Sequence, residues 1–225
     1  MSSIRMLLFD SDWHQDAELW SGEGDCLVHL YGKGRSRRGP SFRLSSKSIK
    51  ASQCGRLFGD NYILKSSTGS IRSTASVSDS GYSSGASSEG PCDIFIPAPD
   101  ESVRSEAFKW HITTRNLFAW MMDMPLVGAS LSTALIDLLE RMLMLRPATT
   151  NNVDDCLAYV ERMGYMDFAH SPDYALALLR FAEHFQLREL WIDAFSHCVG
   201  MNDSLCLSPE FDVRNLDIDL NVCRS

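Results

Sequence analysis

Seven cysteines are scattered through this 225-residue chain, yet no Cys-x-x-Cys pair occurs among them. Their odd number and irregular spacing exclude the common zinc and dithiol motifs and argue against a disulfide framework, leaving reduced, mostly packed thiols as the expectation. Positive charge is also scarce: 21 Lys and Arg against 29 Asp and Glu give a net charge of -8. A protein that holds nucleic acid by neutralising phosphates needs the opposite surplus, so no nucleic-acid partner is expected. Long apolar runs are missing as well. Pro125 to Leu145, the most apolar tract, is interrupted by Asp137, Glu140 and Arg141, and Met1 to Phe9 has no signal-peptide pattern. These features predict a protein of the cytoplasm or nucleus, neither secreted nor in a membrane.

What the chain does have is an early strand pattern followed by helices. Cys26 to Tyr31 is a compact apolar run, Gly32 to Pro40 is rich in turn residues, and Ser41 to Leu44 alternates apolar and polar side chains. This reads as a hairpin with a long basic tip. Ser46 to Phe58 suits a short helix capped by Ser45 or Ser46, and Cys92 to Ile96 reads as a third strand closed by Pro97 and Pro99. Residues 65–90 are dominated by Ser and Gly. With so few large apolar side chains they cannot offset an ordering entropy of roughly 1 to 2 kcal/mol per residue, and are expected to form a disordered insertion.

From Val103 the pattern is helical. One long segment ends at Pro125, a second runs from Leu131 to Leu145 before Pro147, and a third covers Val153 to Met163 with Leu157, Tyr159 and Val160 inward. Ser171-Pro172 then opens a pair of helices whose stripes change phase between His184 and Leu187. Strands first and helices after predict an α+β fold, with a small sheet of about three strands packed by five to six helices. A polar arm is expected at 1–22, a domain at 23–200 and a tail at 201–225. Leu187 and Leu190 are expected to be buried at a stability centre.

The closing pair, with Ala182-Glu-His-Phe-Gln-Leu187 at its corner and Leu190 and Cys198 beyond, resembles the last helix pair of the BTB/POZ domain. Gly24-Asp25 is similar to the acidic opening of that domain, and Phe42-Arg-Leu44 with Ser48, Ile49, Ser52 and Leu57-Phe58 to its second strand and first helix. Gly24 to Gly34, Arg38 to Phe42, Arg115 to Trp120 and Phe181 to Gly200 more closely resemble a fungal family of uncharacterised BTB-like proteins. The resemblance spans roughly residues 18–210 apart from the serine-rich insertion. It implies a non-enzymatic protein-interaction module, pairing with itself as a homodimer or with another protein; the alternative is a substrate adaptor for a cullin-type ubiquitin ligase. Leu126 to Phe168 adds more helix than such a domain usually has before its closing pair. Phe211 to Ser225 does not continue as larger members do, as in a shortened product.

Other chemistry is weakly signalled. None of the six histidines has metal-ligand spacing with cysteine, and Cys198 beside His197 or His184 lacks a third, orienting group. No catalytic residue, cofactor, metal or small-molecule substrate is expected. The distant alternative is an enzyme whose site has no recognised pattern. Gly32 to Gly39 lacks the Gly-Lys-Ser/Thr ending of a phosphate cradle, so Lys33, Arg35, Arg37 and Arg38 read as a solvated tip able to dock an acidic partner. In Phe118 to Met124 the core reading competes with a partner surface formed by Trp120, Met121 and Met124. Asp79-Ser-Gly-Tyr-Ser-Ser84 resembles a doubly phosphorylated degradation signal, which makes Ser80 and Ser84 candidate phosphorylation sites.

Overall fold

The structure is a computed structural model that describes residues 16–58, 63–64 and 92–211. The serine-rich segment, with Ser80 and Ser84, and residues 1–15 and 212–225 lie outside them.

The hairpin forms as its pattern requires. β1 (Cys26–His29) pairs antiparallel with β2 (Phe42–Leu44), and Val28 lies opposite Phe42. The two-residue β3 (Ile63–Leu64) pairs antiparallel with β4 (Cys92–Phe95), which lies parallel to β1. The sheet order is β2-β1-β4-β3. The three strands expected are thus joined by a short fourth at one edge. Alternation puts Cys26, Val28, Phe42, Leu44 and Ile94 in the core, while Leu27, His29 and Phe95 are half-buried.

The Gly24-Asp25 step before β1 has a steric and a polar reason. A Cβ at position 24 would lie 2.8 Å from the Leu44 backbone nitrogen, so only glycine lets the strands approach there. The Asp25 carboxylate then accepts the Ser46 backbone N–H at 2.7 Å and its hydroxyl at 2.6 Å. It serves as the cap of α1 (Ser46–Ala51); Ser45 occupies the N-cap position with no capping hydrogen bond from its own side chain. The Ser46 hydroxyl, and next its N–H, hold the Asp25 pKa below the ordinary carboxylate value. A depressed folded pKa gives stability that is present above about pH 4 and lost as pH falls through the lower folded value. Asp25→Asn is therefore expected to be less stable than wild type near pH 6, with the gap closing towards pH 2. Thermal unfolding across that range checks the result, and a constant gap would refute the assignment.

Five longer helices follow: α2 (Arg104–Met121), α3 (Leu131–Leu145), α4 (Asn152–Arg162), α5 (Pro172–His184) and α6 (Arg188–Met201). Ser130, Asn151 and Ser171 cap the starts of α3, α4 and α5 through side-chain oxygens, and Pro172 occupies the first turn of α5. The α5–α6 corner closes by a bond from Leu187 N–H to the Ala182 carbonyl at 2.8 Å, with Gln186 at φ 55°. This is the Schellman geometry, in a position where glycine is more usual.

The C-terminal half of α2, Thr113 to Trp120, is buried throughout, and Phe118 meets Phe42 of the sheet at 5.6 Å between ring centroids. The N-terminal half is not: Phe108 is exposed, and His111 and Ile112 are half-buried, so the inward stripe begins later than the pattern predicts. The core is centred on α3 and α5, where Leu135, Leu138, Leu139, Leu178, Leu179 and Phe181 are fully enclosed. Leu187 and Leu190 are only half-buried at its margin. The corner is thus a boundary feature, because α6 packs chiefly on α5 and turns only Ala194 and Cys198 fully inward.

Both expected boundaries move outwards. Asp16 N–H donates to the Ser41 carbonyl, Ser21 N–H to the Arg43 carbonyl, and Leu19 is buried, so 16–22 belongs to the fold. At the other end, the Glu210 carboxylate accepts both the Leu131 N–H and the Ser132 hydroxyl at the start of α3, and Ser208 donates to Asp173. Residues through 211 therefore latch onto the helices, with Leu205 joining the core. No helix among the described residues is long and apolar enough to cross a membrane.

Candidate interaction surfaces

The basic tip between β1 and β2 is where the sequence places it. Lys33, Arg35, Arg37 and Arg38 are exposed, and Gly34 at φ 75° supplies the left-handed turn the loop needs. Arg35 approaches Asp100 at 3.8 Å, both heads lying in solvent, which contributes little to stability. The cluster projects from the sheet end on a turn held by Arg35 N–H to the Gly32 carbonyl at 2.9 Å.

The Trp-Met segment resolves towards the core. Trp120 is 8% exposed and lies beneath the Arg146 guanidinium at 5.1 Å, so it is not available to a partner. Arg146 is itself fixed by Asn152 at 2.9 Å and Asp155 at 2.5 Å, which ties the end of α3 to α4. Met121 and Met124 are half-buried against the core, leaving only their edges at the surface. The reason is the buried run of α2: at its last turn the stripe has widened to the whole helix circumference.

Two features have no signal in the sequence pattern. Arg115, in the middle of α2, is 2% exposed and donates to Asp16 at 2.9 Å, to Glu18 at 2.5 Å and to the Pro125 carbonyl at 2.5 Å. It gathers the N-terminal turn, α2 and the following loop around one guanidinium, whose fork suits several acceptors at once. The other is the outer face of α6, where Ile192 and Val199 are exposed beside half-buried Trp191 and Phe195, whose rings stack at 4.8 Å. Apolar spacing places Trp191 and Phe195 on the inward stripe of α6, and the structure leaves both half-buried at its edge.

The histidines and thiols near the closing pair do not converge. His184 faces Glu140 at 3.4 Å, His197 lies 5.4 Å from Phe168 ring to ring and 3.8 Å from Asp193, and Cys198 is buried, its thiol pushed up to about 11 by desolvation. A raised thiol pKa is the wrong direction for a nucleophile. Among the described residues no group of three or more His, Cys, Asp and Glu is arranged to hold a metal ion. A groove of about 490 Å³ between α2, α3 and α5 is crossed by the Lys109–Asp137 pair at 3.0 Å and by His184–Glu140. It is open, and two of its charged pairs face each other across its walls.

A family model described as a domain of unknown function (DUF8004) matches residues 153–215, less than a third of the chain. The matched span runs from α4 through α6 to the segment that latches onto α3, and its description names no activity. No curated protein and no solved structure matches the chain.

Proposed function

We propose that this chain is a protein–protein interaction module of the BTB/POZ type, acting by binding rather than catalysis. The order of elements carries the reading: strand, strand, short helix, the paired strands β3 and β4, then helices closing in the α5–α6 pair. The exposed basic tip supports an acidic protein partner, and the open apolar residues of α6 support a second contact, with another copy of the chain or with a different protein. A stable interface buries about 1,200 Å² or more in total, which neither a four-charge loop nor two apolar side chains supplies alone.

Sedimentation over a range of concentrations, combined with crosslinked affinity capture from the native cell, tests the reading. A dimer or a specific captured protein is expected. A strict monomer with no captured protein would sink it, while a captured cullin would narrow it to the adaptor role. Replacing Lys33, Arg35, Arg37 and Arg38 together by Gln is expected to slow association with the captured partner by about tenfold or more at low salt and to flatten its salt dependence. Stability should change by no more than about 0.5 kcal/mol, since these side chains lie in solvent. Unchanged association kinetics in that variant would remove the tip from the interface.

A further inference from the structure

The parallel register of β1 and β4 sets Cys26 directly beside Cys92, although 66 residues separate them in the chain. Their sulfurs lie 2.7 Å apart in a hydrogen bond. Adjacent strands run about 4.8 Å apart, inside the Cα separation of roughly 4.4 to 6.8 Å that a disulfide spans. The strand starts are fixed by their own bonds, since Cys92 N–H donates to the Asp25 carbonyl at 3.0 Å, so the thiols meet on rigid backbone. We propose that Cys26 and Cys92 form a redox-active dithiol, which a hydroperoxide converts to a disulfide joining β1 to β4.

The two thiols differ in ways that assign their roles. Cys92 is half-buried and Cys26 fully buried, so only Cys92 is open to a small oxidant. The shared hydrogen bond lowers the Cys92 pKa and raises that of Cys26, which burial raises further. Cys92, the sulfur that solvent and a small peroxide can reach, therefore supplies the thiolate. Its sulfur attacks the peroxide oxygen, the O–O bond breaks, and a sulfenic acid forms as hydroxide or alkoxide leaves. Cys26 sulfur then attacks the sulfenic sulfur, the S–O bond breaks, and water leaves with the Cys26 proton. For hydrogen peroxide the balance is two thiols oxidised to one disulfide and one peroxide reduced to two waters. The other buried thiols are poor competitors: Cys156 is pushed up to about 12 and Cys198 to about 11 by desolvation, and Cys54 is also raised. The bond would close a ring containing β2, α1 and the basic tip.

The test is titration of the full chain with hydrogen peroxide, followed by alkylation and peptide mass mapping. The expected product is one peptide pair joining Cys26 to Cys92, lighter by two hydrogens and released by dithiothreitol. Its formation should raise the melting temperature by about 5 to 15 °C, the range for a crosslink closing a long loop in a domain of this size. Cys92→Ser, altered at the more exposed sulfur, is expected to keep its fold and lose both the crosslink and the shift. Conversion of Cys92 to a sulfinic acid while Cys26 remains alkylatable would overturn the proposal. So would the same peroxide-induced shift in Cys92→Ser.

Discussion

Arg115→Met is expected to lower the free energy of unfolding by about 3 to 5 kcal/mol, the cost of breaking a buried ion pair by removing one partner. Methionine fills much of the volume of the arginine stem, so the loss reports the guanidinium rather than a cavity. Asp16 is left with a buried carboxylate that still accepts the Glu18 and Leu19 N–H groups but has lost its counter-charge. The Pro125 carbonyl loses the Arg115 donor as well. Denaturant unfolding measures the loss, and the double variant Arg115→Met, Asp16→Ala separates its causes. If the uncompensated Asp16 charge dominates, the double variant is more stable than the sum of the two single losses allows, by about 1 to 3 kcal/mol. Strict additivity would mean that Arg115 acts independently of Asp16, through Glu18, the Pro125 carbonyl and packing. Glu18, with a third of its side chain in solvent, is expected to matter less than Asp16.

Arg115 also marks the limit of what the chain reveals in one dimension. Periodicity identifies α2 because it samples neighbours three and four residues apart, and Ser171-Pro172 identifies the start of α5 because capping is local. The antiparallel hairpin is legible for the same reason: its two strands are separated by a single turn-rich stretch. A guanidinium that bonds residues 97 and 99 positions upstream leaves no local trace. Nor does the Cys26–Cys92 pair, formed only when β4 enters beside β1, or the Asp25 carboxylate that caps a helix 21 residues later. Asp123 and Gln186 occupy left-handed positions at helix ends, as Gly164 does after α4, but only glycine advertises that conformation. Of the candidate surfaces, the basic tip is readable because a run of charges in a turn-rich stretch stays in solvent whatever packs elsewhere. The Trp120 and Met121 segment was ambiguous because a wide apolar helix face looks the same whether a core or a partner covers it.

Phe181→Ala is expected to cost about 3 to 5 kcal/mol, while Leu190→Ala costs about 1 to 2 kcal/mol, although both belong to the closing helix pair. Phe181 has no exposed surface, sits in α5 where α3 packs against it, and places its ring 5.1 Å from Phe185. Its removal leaves a cavity inside a close-packed core, which the surrounding side chains refill only in part. Leu190 has core contact on one side and solvent on the other, so water refills the space and the loss approaches a partial transfer term. Leu187→Ala should behave like Leu190→Ala, because its backbone closes the Schellman turn and alanine preserves that bond. Thermal and denaturant unfolding of the three variants separates the cases. Equal losses at positions 181, 187 and 190 would return the stability centre to the corner.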